Sequence, residues 1–166
     1  MATPKEMRNE LLGKHLVENL NKRHFEAYYC PTAAEALEKA LSLIPEKSSV
    51  SWGGSMTIRD MGLTQALHER DYTVIDRDLG KTPEEVAELH RKGLLADYFL
   101  TSTNAISEDG VLVNIDGTGN RLAAICFGPK NVIVICGMNK VAKDVDAAIN
   151  PARSKAAQIN SMRFMG

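Results

Sequence analysis

Apolar positions along this chain recur at two spacings, one helical and one strand-like, and the predicted elements alternate accordingly. Met7, Leu11, Leu12, Leu16 and Leu20 fall near helical spacing behind Pro4, so residues 4–22 read as an amphipathic helix. The aromatic run Phe25–Cys30 reads as a first strand. Thr32 and Glu35 form a capping-box pattern ahead of Ala36, Leu37, Ala40, Leu41 and Ile44, which share one helix face until Pro45 stops it. Ser49–Trp52 is a short strand that runs into Gly53-Gly54-Ser55. Ser55 suits the N-cap of a helix carrying Ile58 and Met61, its hydroxyl accepting from the N–H of Thr57 or Ile58, with Gly62 as the stop. Leu63–Arg70 follows as a helix and Tyr72–Asp76 as a strand. Thr82-Pro83-Glu84-Glu85 is another capping box, opening a helix through Val86 and Leu89 to Gly93.

Three apolar runs come next: Asp97–Ser102, Val111–Ile115 and Asn131–Cys136. The last two are rich in Val and Ile and read as strands buried on both faces. Between them, DGTGNRL ends a strand and begins a helix that includes Leu122–Ala124. Lys143–Ile149 reads as helical, and Asn150-Pro151 as the cap and start of a last helix reaching about Met162. Strands alternating with helices predict an α/β, Rossmann-like three-layer fold, its mostly parallel sheet covered by helices on both faces. Ligands of such sheets bind outside the carboxyl ends of the strands. Both glycine loops follow a strand and precede a helix, which puts both on that edge.

Composition narrows the function classes. With 166 residues and 44% hydrophobic content the chain suits one domain, residues 1–166, with one core. Twenty Lys and Arg balance 21 Asp and Glu, and aromatics are 5%, which leaves neither a basic stripe nor stacking residues for nucleic acid. No apolar run approaches the ~20 residues of a membrane span, and the charged N-terminus is unlike a signal peptide. Cys30, Cys126 and Cys136 form no CxxC pair and read as buried thiols in a reducing cytoplasm.

The candidate chemistry sits at the two loops. Gly53, Gly54 and Ser55 either cradle a phosphate, carboxylate or thioester oxygen through backbone N–H groups or simply turn the chain and cap. In the first reading Thr57 and Arg59 add donors. Gly117-Thr118-Gly119 begins a dinucleotide fingerprint, but Leu122 stands where its third glycine belongs, so no NAD site is expected. A tight anion-binding turn fits better: Asn120 and Arg121 add side-chain donors, and the Arg121 fork suits a carboxylate or phosphate. Asn104, in the same Thr101–Val141 stretch, joins the ligand-binding set, as do Asn139 and Lys140 after the last apolar strand. Glu108, in Ser107-Glu108-Asp109-Gly110, is the candidate catalytic carboxylate; the competing reading is a hairpin turn, which Asp-Gly between apolar runs signals by itself. The four histidines share no metal-like spacing, and no metal site is expected.

SWGGSMTIRDMGL (51–63), the DRD at 76–78, TSTNAISEDGVLVN (101–114) and the stretch from DGTGNR through FGPK to MNKVAKDVDAAI (116–149) resemble the LUD domain, the lactate-utilisation protein C family. The resemblance spans nearly the whole chain. It implies a fold similar to ribose-5-phosphate isomerase, glucosamine-phosphate deaminase and the CoA transferases. It also implies a role in oxidising L-lactate to pyruvate, alongside an iron–sulfur subunit and a cysteine-rich subunit. Glu108 resembles the glutamate in the S-E-N-G turn of the CoA transferases, with Asp109 in place of the Asn. Three functions stay open: an accessory or ligand-binding component that takes a small anion at the two loops, a stand-alone enzyme of the sugar-phosphate isomerase or CoA transferase type using Glu108, or an architectural subunit that docks a partner by its outer helices. Longer members carry a cysteine-containing tail that this sequence lacks, so no iron–sulfur cluster or other cofactor is expected on this chain. Related folds are often dimers, which leaves a homodimer open.

Overall fold

The structure, a computed structural model, describes residues 2–152. Its elements begin with helices α1 (Pro4–Lys22) and α2 (Ala33–Ser42), strand β1 (Ser49–Trp52), and helices α3 (Met56–Asp60) and α4 (Leu63–His68). Strand β2 (Thr73–Ile75) leads through a 3₁₀ turn, Arg77–Leu79, to helix α5 (Pro83–Gly93) and strand β3 (Tyr98–Thr101). Strands β4 (Ala105–Ser107) and β5 (Leu112–Val113), helix α6 (Asn120–Cys126) and strand β6 (Asn131–Val134) follow. A 3₁₀ turn, Met138–Lys140, strand β7 (Val141–Ala142) and helix α7 (Val145–Pro151) come last. These elements form two compact units interleaved along the chain: Leu37–Ser102 with Asp116–Ile135, and the remaining described residues.

The larger unit is an α/β, Rossmann-like layer structure around a parallel sheet of order β2-β1-β3-β6. Val50 lies beside Val74 on one side and Tyr98 on the other, and Leu100 beside Ile133. Strand residues alternate faces, so Val50 and Trp52 point one way and Ser51 the other. On the first face they join Ala40 and Leu41 of α2, Ile44 just beyond it, Ile58 of α3, and Leu63 and Leu67 of α4 in one buried cluster with Leu100. Each fully buried Leu or Ile contributes about 1.5–3 kcal/mol. The other face needs small groups. Gly93, the last residue of α5, lies so close to Ser51 that a Cβ there would come within 2.6 Å of its Oγ. At the amino ends of the strands, the Asp97 carboxylate accepts from the Ser49 amide at 3.0 Å and from Lys130 Nζ at 2.8 Å. The Lys130 bond, then those from Ser49, hold this carboxyl well below the usual carboxylate range.

The threonine N-caps that the sequence predicts are present, but neither glutamate closes its box onto the N-cap backbone amide. Thr32 and Glu35 exchange bonds at the start of α2, and Thr82 accepts from the Glu85 amide at the start of α5. Glu85 itself reaches back to the Lys81 amide. Thr3 and Glu6, ahead of α1, form a complete box that the sequence pattern did not bring to notice.

The smaller unit corrects several expectations. Phe25–Cys30 is not a strand: Phe25 and Tyr28 are exposed, and the Tyr29 ring packs on Gly13 of α1, where a Cβ would come within 2.2 Å. Tyr29 covers the helix, and the segment forms no ladder. Only Gly13 and Leu16 of α1 are buried, and Met7 and Leu11 of the expected apolar face stand exposed.

Val111–Ile115 does not become a strand buried on both faces. It supplies only β5, half-buried, in a separate sheet of order β5-β4-β7, where β4 pairs antiparallel with β5 and parallel with β7. The cause is the Asp109-Gly110 turn: Gly110 adopts φ +89, and Ser107 Oγ accepts from the Val111 amide and donates to Asp109.

Asn150-Pro151 does not start a new helix. Asp144 caps α7 by accepting from the Ala147 amide, and both residues fall within that helix. The helix predicted on to Met162 lies outside the described residues. Cys126 is exposed rather than buried, because α6 turns Ala124 inward and Cys126 outward; Cys30 and Cys136 are half-buried. None of the three forms a disulfide among the described residues.

Candidate functional site

The first glycine corner grows from the carboxyl end of β1. The Gly53 amide donates to the Leu100 carbonyl at 3.0 Å, which extends the β1–β3 ladder by one residue. A Cβ on Gly54 would meet Arg77 Nη2 at 2.4 Å, so the missing side chain lets a guanidinium lie directly on the backbone. Ser55 occupies the N-cap of α3 with extended dihedrals, yet its hydroxyl makes no capping bond. That corrects the expected bond to Thr57 or Ile58. The Ser55 Oγ is buried and has no hydrogen-bond partner among the described residues. Thr57 sits half-buried on the first turn of α3.

Arg77 belongs to the Asp76-Arg77-Asp78 segment that follows β2 on the same edge of the sheet. Asp76 Oδ1 accepts from the Asp78 amide at 2.9 Å, and Oδ2 lies 3.1 Å from His68 Nε2. Arg77 Nη1 lies 3.1 Å from His90 Nε2. A guanidinium can only donate, so that nitrogen accepts and the His90 proton sits on Nδ1. Burial, then the Arg77 charge, push the His90 pKa down and favour this neutral form. Arg77 Nε is buried without a hydrogen bond among the described residues, its nearest carboxylate being Asp78 at 3.7 Å. Asp78 is held instead by Arg59 at 2.5 Å. Beside these residues lies a cavity of about 480 Å³ whose lining includes Trp52, Arg59, His68 and Asp76.

The second corner has the same sequence signature and a different content. Gly119 takes φ +78 ahead of α6, and Thr118 donates to the Asn120 side chain at 2.7 Å. Asp116, just before Gly117, fills the helix N-terminus: its Oδ2 accepts from the Leu122 amide at 2.9 Å. Its Oδ1 receives Arg121 Nε at 2.7 Å and Nη2 at 2.5 Å, and Arg121 Nη1 reaches the Ser102 carbonyl at 3.2 Å. The two side chains are only 8% and 17% exposed, so the charge of Arg121 is neutralised inside the protein. Ser102 follows β3 and Gly53 follows β1. The two loops therefore stand at the carboxyl ends of adjacent strands.

The other candidates lie in the smaller unit. Asn104 accepts from the Ile115 amide at 3.1 Å and donates its own amide to Val113, which prolongs the β4–β5 pairing. Glu108 sits half-buried in the hairpin turn, its amide on the Ala142 carbonyl and its carbonyl on Asn19. Asn139 and Lys140 form the 3₁₀ turn before β7. Burial pushes the Cys136 thiol up, with the Lys140 charge pulling the other way, so it stays a neutral thiol. Among the described residues, no group of three or more His, Cys, Asp or Glu could hold a metal ion, and no helix is long and apolar enough to cross a membrane.

Sequence reasoning passed over Asp116, Arg77, His90 and the His68–Asp76 pair. The signal for the DRD segment was present: it follows a predicted strand, as the glycine loops do. The pairing of His90 with Arg77 across 13 positions had no local trace.

Comparison with known proteins adds the family. The LUD domain family model matches residues 13–165. The chain belongs to the LUD domain family. That places this LUD protein in a lactate-utilisation family. No curated protein and no solved structure matches it.

Proposed function

We propose that this LUD protein is a ligand-binding component of L-lactate oxidation to pyruvate, taking a small carboxylate at the Gly53–Gly54–Ser55 corner. One observation carries the reading: the Arg77 guanidinium lies on Gly54, and the buried hydroxyl of the next residue, Ser55, has no hydrogen-bond partner among the described residues. A planar fork and a hydroxyl donor together suit a carboxylate. Thr57 borders the same corner. Gly117, Thr118, Gly119 and Asn120 shape the neighbouring rim, and Arg121 serves it through Asp116 rather than as a free cation. In this reading the chain carries no redox group, and electrons pass to iron–sulfur and cysteine-rich partner subunits. Nothing in the geometry of Glu108 favours the alternative of a stand-alone transferase or isomerase.

Isothermal titration calorimetry with L-lactate and with pyruvate tests this. Arg77→Ala is expected to weaken binding by about 1–3 kcal/mol, the worth of a charge-assisted hydrogen bond. Binding unaltered by that substitution, or no binding of either anion, refutes the assignment.

A further inference from the structure

Arg77 is the cation of the carboxylate corner, and one contact orients it. Its Nη1 donates to His90 Nε2 at 3.1 Å, which is the one hydrogen bond of this guanidinium among the described residues. Asp78, the nearest carboxylate, lies 3.7 Å from Nε and is itself held by Arg59. Gly54 has no side chain to brace the fork, since a Cβ there would meet Nη2 at 2.4 Å. The Arg77 side chain is 25% exposed, within reach of a ligand, and its orientation depends on His90.

An imidazole can hold a guanidinium only while one ring nitrogen is bare. A second proton, taken up at Nε2, removes the acceptor and sets two cations against each other. Few charges face the His90 ring. The 3₁₀ turn packed against α5 brings Arg77 and Asp78, while β1 and β2, the strands that α5 packs on, carry no titratable side chain. Along α5 the neighbours at helical spacing, Val86, Ala87 and Gly93, are uncharged. The carboxyl end of that helix favours an imidazolium, but burial first and then the Arg77 charge prevail and keep the ring neutral.

We propose that His90 is a positioning residue for the corner: the neutral imidazole holds the Arg77 fork over Gly54 in the orientation a carboxylate meets, and protonation at Nε2 releases it. Affinity at Arg77 is then gated by a proton. It is full while His90 is neutral and falls as the pH drops through the titration of that ring. The effect on affinity rests on the carboxylate reading of the corner; the hold of His90 on Arg77 does not.

Two measurements on the full chain test the two parts. In a proton–nitrogen spectrum of the histidine rings, the His90 signals are assigned by their loss in His90→Gln. They should show the Nδ1–H tautomer at about pH 8. Arg77→Met removes the charge and keeps the bulk, and should move the His90 titration up towards the ordinary histidine range. Calorimetry with L-lactate and with pyruvate should show affinity falling about tenfold from about pH 8 to about pH 5, the effect of one lost charge-assisted hydrogen bond. His90→Leu, with no acceptor, should already be weakened about as much at the higher pH. His90→Gln, whose side-chain oxygen accepts but takes up no proton, should bind more tightly than His90→Leu and lose the pH dependence. Wild-type-like circular dichroism at both pH values confirms that the variants are folded. An Nε2–H tautomer, a His90 titration unmoved in Arg77→Met, an affinity that is flat or rises on acidification, or a fall that persists in His90→Gln would each overturn the proposal. If neither anion binds at any pH, the carboxylate reading fails on its own account, and the ring spectra alone decide whether His90 holds Arg77.

Discussion

The two glycine corners of the larger unit share one sequence pattern and end in opposite electrostatic states. At Gly117–Gly119 the helix holds an anion of its own: Asp116 accepts from the Leu122 amide and neutralises Arg121. At Gly53–Ser55 the cap position carries a hydroxyl with no partner among the described residues, and a guanidinium lies on the glycine. The residue before the first glycine makes the difference, aspartate in one loop and tryptophan in the other. A glycine turn ahead of a helix is therefore an opportunity for an anion and not yet a site. Whether an outside ligand finds it open depends on whether the chain supplies its own carboxylate.

The largest expected effect comes from breaking the closed corner. Asp116→Ala takes the Asp116 carboxylate from Arg121, which is only 17% exposed, and removes the acceptor of the Leu122 amide. Removing one partner of a buried pair typically costs about 3–5 kcal/mol, which urea unfolding would show as a lower midpoint with an unchanged slope. A cost well under that range would mean that the pair does not hold the loop.

A smaller effect separates backbone from side chain. Gly119 has φ +78, and a methyl group there would meet no atom within 4 Å. Only the backbone opposes the substitution, so Gly119→Ala should cost about 1 kcal/mol. Gly54 has no such dihedral, and its Cβ would press on the far end of Arg77, a flexible side chain. Gly54→Ala should leave the unfolding midpoint nearly unchanged while weakening carboxylate binding in calorimetry. Equal destabilisation by the two substitutions would erase the distinction between the corners.

Ser55→Ala should have the smallest effect on stability, within about 0.5 kcal/mol, because the hydroxyl it removes has no partner among the described residues. Carboxylate affinity should fall in the same variant. A stability loss above about 1 kcal/mol would show that the hydroxyl is engaged in the free protein.

The unequal legibility of these features has a physical basis. Thr32 with Glu35 and Thr82 with Glu85 were readable because a cap and its partner lie within one helical turn. The Leu37, Ala40, Leu41 and Ile44 face was readable because burial repeats with the helix. Val111–Ile115 misled because apolar content reports burial and not the partner strand; the Asp-Gly turn outweighed it and folded the segment back on β4. Phe25–Cys30 misled because aromatic residues suit a strand and the cover of a helix equally well.

By itself, the sequence determined the alternation of helices and strands, the threonine-capped helix starts, the parallel class of the main sheet and the placing of the Gly53–Ser55 loop at its carboxyl edge. Each rests on interactions between residues a few positions apart, or on a period that local geometry enforces. Only the tertiary structure decided the strand order β2-β1-β3-β6, the closure of one corner and not the other, and the meeting of Gly54 with Arg77 and of Trp52 with His68. Those depend on which distant side chains the packed sheet brings within a few ångströms, and no short-range pattern in the chain encodes that distance.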